Sequence, residues 1–155
     1  MEKICMFTGH RNIDRRHVNS LPGRIDALLE SLIEEGYTEF RTGGAMGFDT
    51  IVALKILEKK RKYGFIRLHL YLPCHDQDKG WRADLKAAYA YVLKNADSVR
   101  YSSEVYNRGC MHKRNRDMVD GSGLCVAYCG KSTGGSAYTL EYAEKKGIRV
   151  INIFE

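Results

Sequence analysis

Three polar, glycine-bearing segments hold most of the residues with the means to do chemistry. Thr42-Gly43-Gly44-Ala45-Met46-Gly47-Phe48-Asp49 sets three glycines within five residues, after a short run ending in Phe40-Arg41. Gly130-Lys131-Ser132-Thr133-Gly134-Gly135-Ser136 is a second such stretch, and Thr8-Gly9-His10-Arg11 follows an apolar run. A glycine turn between a strand and a helix exposes backbone N–H groups at the helix N-terminus, where the peptide dipoles favour an anion. Gly43, Gly44, Gly47, Gly134 and Gly135 have no Cβ to hold a phosphate away from Ala45, Met46 or their own N–H groups. Asp49 either caps the helix or faces the ligand, where it could accept from ribose hydroxyls. Arg11 and Arg114, the latter beside Asn115, offer planar forks of donors for phosphate oxygens. Thr8 and Gly9 lead into His10, which could donate to a phosphate or a ribose. Ser136 and Thr139 sit at a helix start, where hydroxyls bind an anion or cap the backbone. Trp81 either stacks on a base, walls the cleft or belongs to the core, and Gln77 is a candidate base-edge or ribose contact.

These segments need elements to hold them. Ile4-Cys5-Met6-Phe7 and Leu124-Cys125-Val126-Ala127-Tyr128 are continuously apolar, as strands covered on both faces should be. Leu21, Ile25, Leu28, Leu29, Leu32 and Ile33 recur at helical spacing, with Ser20 as N-cap, Pro22 in the first turn and Gly36 as the stop. A second strand over about 38–42 leads into the first glycine turn, and a helix follows from 50 to 60. Ile66, Leu68, Leu70 and Leu72 alternate with Arg67, His69 and Tyr71, which predicts a strand at or near an edge. Trp81, Leu85, Ala88, Tyr89, Val92 and Leu93 mark another helix; a short strand near 98–101, a loop to Gly109 and a short helix over 111–120 follow. The second glycine turn opens a helix over about 137–146, and Val150-Ile151-Asn152-Ile153-Phe154 closes the sheet. Alternation of strand and helix predicts an α/β fold: a Rossmann-like, doubly wound, mainly parallel sheet with helices on both faces, in three layers. Its loops should meet at the carboxyl edge, where strand order reverses.

Composition narrows the class. A chain of 155 residues is expected to form one domain, 1–155. No apolar run reaches the roughly 18 residues that span a bilayer, so no membrane partner is expected. Met1-Glu2-Lys3 runs straight into a strand without a leader, which reads as cytoplasmic, with the five cysteines reduced. Neither Cys74-His75 nor Cys110-Met111-His112 has the paired spacing of a zinc site, so no metal is assigned. A net charge of +6 favours anionic partners. The basic run Lys59-Lys60-Arg61-Lys62 suits a helix C-terminus, and no aromatic-rich basic groove is evident, which makes nucleic acid a less favoured partner than a small nucleotide ligand. A homo-oligomer stays open.

The motifs also occur in a specific order. Phe7-Thr8-Gly9-His10-Arg11, Gly43-Gly44-Ala45-Met46-Gly47-Phe48-Asp49, Pro73-Cys74-His75-Asp76-Gln77 with Trp81, Arg114-Asn115 with Met118-Val119-Asp120, and Gly134-Gly135-Ser136 with Thr139 span nearly the whole chain. Together they resemble the bacterial YpsA-type branch of the SLOG superfamily, which also includes the LOG phosphoribohydrolases and the DprA/Smf DNA-processing proteins. The resemblance implies a Rossmann-like domain and a nucleotide-type ligand related to a nucleotide, NAD or ADP-ribose, held by a sensor or binding module. It also implies two alternatives: N-glycosidic hydrolysis of a nucleoside monophosphate or NAD-like compound, and DprA-like binding of single-stranded DNA. LOG enzymes carry a glutamate past a Pro-Gly-Gly turn that supports cleavage of the base–ribose bond. Here Thr133 replaces the proline while Gly134, Gly135 and Glu141 keep the spacing, so the resemblance makes Glu141 the catalytic candidate. Gly121 and Gly123 depart from the pattern, standing where Asn and Asp are expected.

Overall fold

The computed structural model describes residues 3–155, so Met1 and Glu2 of the N-terminal reading lie outside the described residues. Strand and helix alternate as the periodicities require. The order is β1 (Lys3–Gly9), α1 (Leu21–Glu34), β2 (Tyr37–Thr42), α2 (Phe48–Lys62), β3 (Arg67–Leu72), α3 (Ala83–Asn95), β4 (Ser98–Tyr101), α4 (Cys110–Val119), β5 (Leu124–Tyr128), α5 (Gly135–Lys145) and β6 (Arg149–Asn152). The six strands form one parallel sheet in the order β4-β3-β2-β1-β5-β6. The chain winds outward from β1 to β4, then crosses back to β5 on the other side of β1. The order reverses at the β1–β5 junction, where loops leave toward opposite faces and a cleft opens.

Helices α1, α2 and α3 cover one face, and α4 and α5 the other. The larger core layer joins Phe7, Phe40 and Leu70 of the strands to Leu29, Val52 and Tyr89 of the helices; the smaller sets Met6 and Cys125 against Met118 and Ala143. This asymmetry accounts for the alternating pattern of β3. Leu68, Leu70 and Leu72 are sealed in the larger layer, whereas Arg67, His69 and Tyr71 lie under the thinner cover of the α4 side and keep contact with water. The strand is second from the edge, and the four-residue β4 is outermost. On that thin side the polar residues satisfy one another: His69 Nε2 meets Glu39 Oε1 at 2.9 Å and His69 Nδ1 meets Ser98 Oγ at 2.6 Å.

Two local expectations change. Ser20 precedes α1 but makes no side-chain cap; its hydroxyl lies 3.4 Å from the His17 carbonyl. Asp49 is not the cap of α2, because the helix starts one residue before it with Gly47 as N-cap. Among the described residues, no helix is long and apolar enough to cross a membrane.

Candidate functional site

Three strand ends are locked together before any cavity forms. The Phe48 ring, at the first turn of α2, stacks on Tyr128 at the end of β5, with centroids 5.5 Å apart and planes 11° from parallel. Gly9 makes room for that ring: a Cβ there would lie 2.7 Å from Phe48 Cβ. The His10 backbone ties both partners to β1, donating to Tyr128 O at 3.2 Å and accepting from Phe48 N at 3.1 Å. Its imidazole Nε2 accepts from Gly130 N at 2.8 Å, so the neutral ring carries its proton on Nδ1. Burial and nearby Lys131 lower the His10 pKa, consistent with an Nε2 that must stay unprotonated to accept.

Above this joint lies a cavity of about 660 Å³, within the range of small-ligand sites. Of the residues singled out in the sequence, Thr8, Gly9, His10, Arg11, Ala45, Asp49, Arg114, Asn115, Gly134, Gly135 and Ser136 line it. The starts of α2, α4 and α5 all contribute to the wall, so three helix N-termini converge on one space. Gly134 has φ +103° and a Cβ there would meet nothing within 4 Å. A second cavity of about 690 Å³ abuts the first across His10, Arg11 and Lys131.

Two buried charges sit in the floor. Arg114 donates through Nε to Asn115 Oδ1 at 2.8 Å, and through Nη1 to Gly43 O at 2.5 Å and Tyr71 O at 3.2 Å. No hydrogen bond of its Nη2 is found among the described residues, and Arg114 is part of the cavity lining. Asp49 Oδ2 accepts from Ala45 N at 3.2 Å, while the buried Oδ1 has no partner among the described residues. Burial raises the Asp49 pKa to about 6, against the opposing pull of Arg114, the Ala45 N–H and Arg11. Exposed Arg11, Arg108 and Lys131 add positive charge at the rim, and Asp49 is the sole carboxylate in the wall among the described residues. An orphaned buried acceptor, a spare guanidinium donor and bare helix starts suit a ligand that carries both an anion and hydroxyl groups.

The remaining sequence candidates lie elsewhere. Gly43, Gly44 and Gly47 pack against the protein rather than opening to the cavity. A Cβ on Gly43 would lie 2.7 Å from Arg114 Cζ and 3.0 Å from Asp49 Oδ2; on Gly44, with φ +68°, it would collide with Leu72; on Gly47, with φ +81°, it would lie 2.5 Å from the Arg11 carbonyl carbon. Met46 is outside the lining. Gln77 braces the back of the turn, its Nε2 3.3 Å from both Gly44 O and Tyr89 Oη. Trp81 packs edge-on against Tyr89 at 5.3 Å and belongs with the core. The Thr139 hydroxyl donates to Gly135 O at 2.9 Å inside α5. Glu141, the catalytic candidate, is on the outside: its side chain is 69% exposed and pairs with Lys145 at 3.3 Å, and it does not reach the cavity. Helical geometry explains the miss, since α5 turns Glu141 away from the face that carries Gly135 and Ser136. Among the described residues no cluster of ligands could hold a metal ion.

The cavity also uses residues that spacing did not flag. Tyr106 and Arg108 come from the loop after β4, and Gly109, Met111 and His112 from the start of α4. The available signal was positional: that loop leaves a strand on the same carboxyl edge, and Gly109, at φ +95°, precedes a helix as Gly47 and Gly134 do.

Comparison with known proteins places this architecture. The SPbeta prophage-derived protein YoqJ of Bacillus subtilis strain 168 is 32% identical over 138 residues, covering 81% of each chain. A UPF0398 protein of Bacillus thuringiensis strain Al Hakam is 26% identical over 155 residues, covering 94% of this chain and 84% of its own. DNA processing protein A of Helicobacter pylori, solved for its single-stranded DNA binding mode, superposes with a TM-score of 0.68 at 17% identity over 96% of this chain. The Streptococcus pneumoniae DNA processing protein A gives 0.65 at 19% identity, also over 96%. The chain spans 63% and 49% of those two proteins, and at such identity the likeness is one of fold. Residues 5–152 match the YpsA model, the YspA SLOG family, and the chain therefore belongs to the YpsA SLOG family.

Proposed function

We propose that the protein binds a nucleotide-type ligand, a nucleotide or a compound related to NAD or ADP-ribose, in the cavity at the carboxyl edge of the sheet, and acts as a sensor or binding module. The observation that carries this reading is the meeting, in one space, of the open α5 start at Gly134-Gly135-Ser136 with Arg114 and Asp49. The helix start and the arginine suit a phosphate, and the carboxylate suits ribose hydroxyls. Membership of the YpsA SLOG family supports a nucleotide rather than an unrelated anion.

The test is thermal denaturation and calorimetric titration with AMP, ADP-ribose and NAD. Binding should raise the melting temperature in proportion to the logarithm of ligand concentration. Gly135→Ala should abolish the shift, because it places a methyl group in the cavity wall. A ligand that stabilises wild type and Gly135→Ala equally would mean that this cavity is not its site. Release of free base during incubation would move the protein to the hydrolase class, with Asp49 rather than Glu141 as the carboxylate at hand. Tight oligonucleotide binding with a steep salt dependence, and no response to mononucleotides, would favour the DNA-binding class instead.

A further inference from the structure

The cavity wall carries aromatic as well as charged side chains. Beside its anion-seeking groups, among them Arg108 of the 102–109 loop and Arg114 of α4, the wall presents Tyr106, Met111 and His112 from that same loop and helix. Tyr106 is 67% exposed although it lines a cavity, an unusual placement for a large aromatic ring, and it stacks on no other ring among the described residues. His112 is held with its ring stacked on Tyr138 at 4.1 Å, and Arg116 in turn holds the Tyr138 hydroxyl at 2.9 Å.

The loop that carries Tyr106 is anchored rather than loose. Asp76 Oδ1 accepts from Tyr106 N at 3.1 Å, and His75 N donates to Glu104 O at 3.1 Å. His75 also stacks on Tyr101 at 3.6 Å. The Cys74-His75-Asp76 segment thus serves as a bracket for the neighbouring loop. Trp81, the aromatic group the sequence suggested for a base, is committed to Tyr89 and the core.

From the placement of these rings we infer that Tyr106 and His112 receive the heterocyclic base of the ligand, and that Asp76 is a positioning residue which sets Tyr106 for stacking. The inference rests on the nucleotide reading and adds which side chains take the base. Stacking on an aromatic side chain is tolerant of base identity, so the wall favours any nucleobase over none.

The experiment compares AMP, GMP, CMP and UMP with ribose 5-phosphate, which lacks the base, by calorimetric titration of wild type, Tyr106→Ala, Tyr106→Phe and Asp76→Ala. The tightest nucleotide should bind wild type at least about tenfold better than ribose 5-phosphate, and Tyr106→Ala should remove that advantage while leaving ribose 5-phosphate unchanged. Tyr106→Phe should retain it, and Asp76→Ala should lose part of it. Because Tyr106 is exposed, its variants should melt with wild type. Equal losses for nucleotide and ribose 5-phosphate in Tyr106→Ala would overturn the base assignment, as would an unchanged nucleotide affinity, and in the second case the nucleotide site itself would stand. Failure of wild type to bind any of the five compounds would sink the nucleotide reading and this inference together.

Discussion

Gly43, Gly44 and Gly47 press against Arg114, Leu72 and the Arg11 carbonyl, whereas Gly134 and Gly135 face open space at the mouth of α5. Both turns join a strand to a helix, and in sequence they suggest the same use. In the fold the first turn is a structural clasp: its missing side chains let a buried arginine, a core leucine and another loop come close. The second is open, and its missing side chains leave room for something else. A glycine-rich turn therefore has two physical explanations, close packing or ligand approach, and the neighbours of the absent Cβ tell them apart.

Substitutions can break this comparison. The largest effect is expected at Gly47→Ala, which combines a positive φ with a backbone-to-backbone collision at Arg11; a loss of about 3 kcal/mol or more in denaturant unfolding is expected. A fully stable variant would refute the clasp.

Asp49→Asn comes next. The folded carboxyl has a raised pKa, about 6 against an ordinary 3.8, so the native state holds a proton that the unfolded chain has released between those values. Stability from this group is intact below pH 3.8 and falls as pH rises through 6, by about 3 kcal/mol at most, and Asp49→Asn should flatten that slope. Ligand affinity measured across the same interval sharpens the site. If Asp49 accepts from ribose, binding should strengthen as the pH rises past 6; if it sits against phosphate, binding should weaken.

Gly135→Ala has the opposite profile to Gly47→Ala. Its φ is not positive, and its nearest neighbour, Asn115 Nδ2, lies 4.0 Å from where the added methyl would sit. Stability should therefore hold or rise by up to about 1 kcal/mol while nucleotide binding is lost. Glu141→Gln should do least: with an exposed pair to Lys145, a change within about 0.5 kcal/mol and no effect on binding are expected. A loss of binding in Glu141→Gln would reopen the catalytic role that its position argues against.

Much of the architecture was legible because periodicity reports burial directly. The apolar runs at 4–7 and 124–128 became the central strands, and the helical stripe from Leu21 to Ile33 became the buried face of α1. Half of the cavity was legible for the same reason: strand ends of one sense share an edge, so Thr8–Arg11 and Gly134–Ser136 had to approach each other. The directions of side chains were not. Spacing alone cannot distinguish Arg114 on a surface from Arg114 buried beneath Gly43, since that depends on the contact between α4 and the far side of the sheet. Nor can it set Trp81 behind the turn instead of in the cleft. Tyr106 and Arg108 were hidden because a loop without periodicity gives no sign of which cavity it borders.

The junction of β1 with β5 has an evolutionary corollary. Two central strands with their exit loops diverging leave a notch whose walls come from strand ends and helix starts rather than from the strands themselves. A change confined to loop tips can therefore alter the notch without altering the sheet that holds them. The Helicobacter pylori DNA processing protein shares this fold at 17% identity, so the arrangement of strands persists through extensive change of sequence.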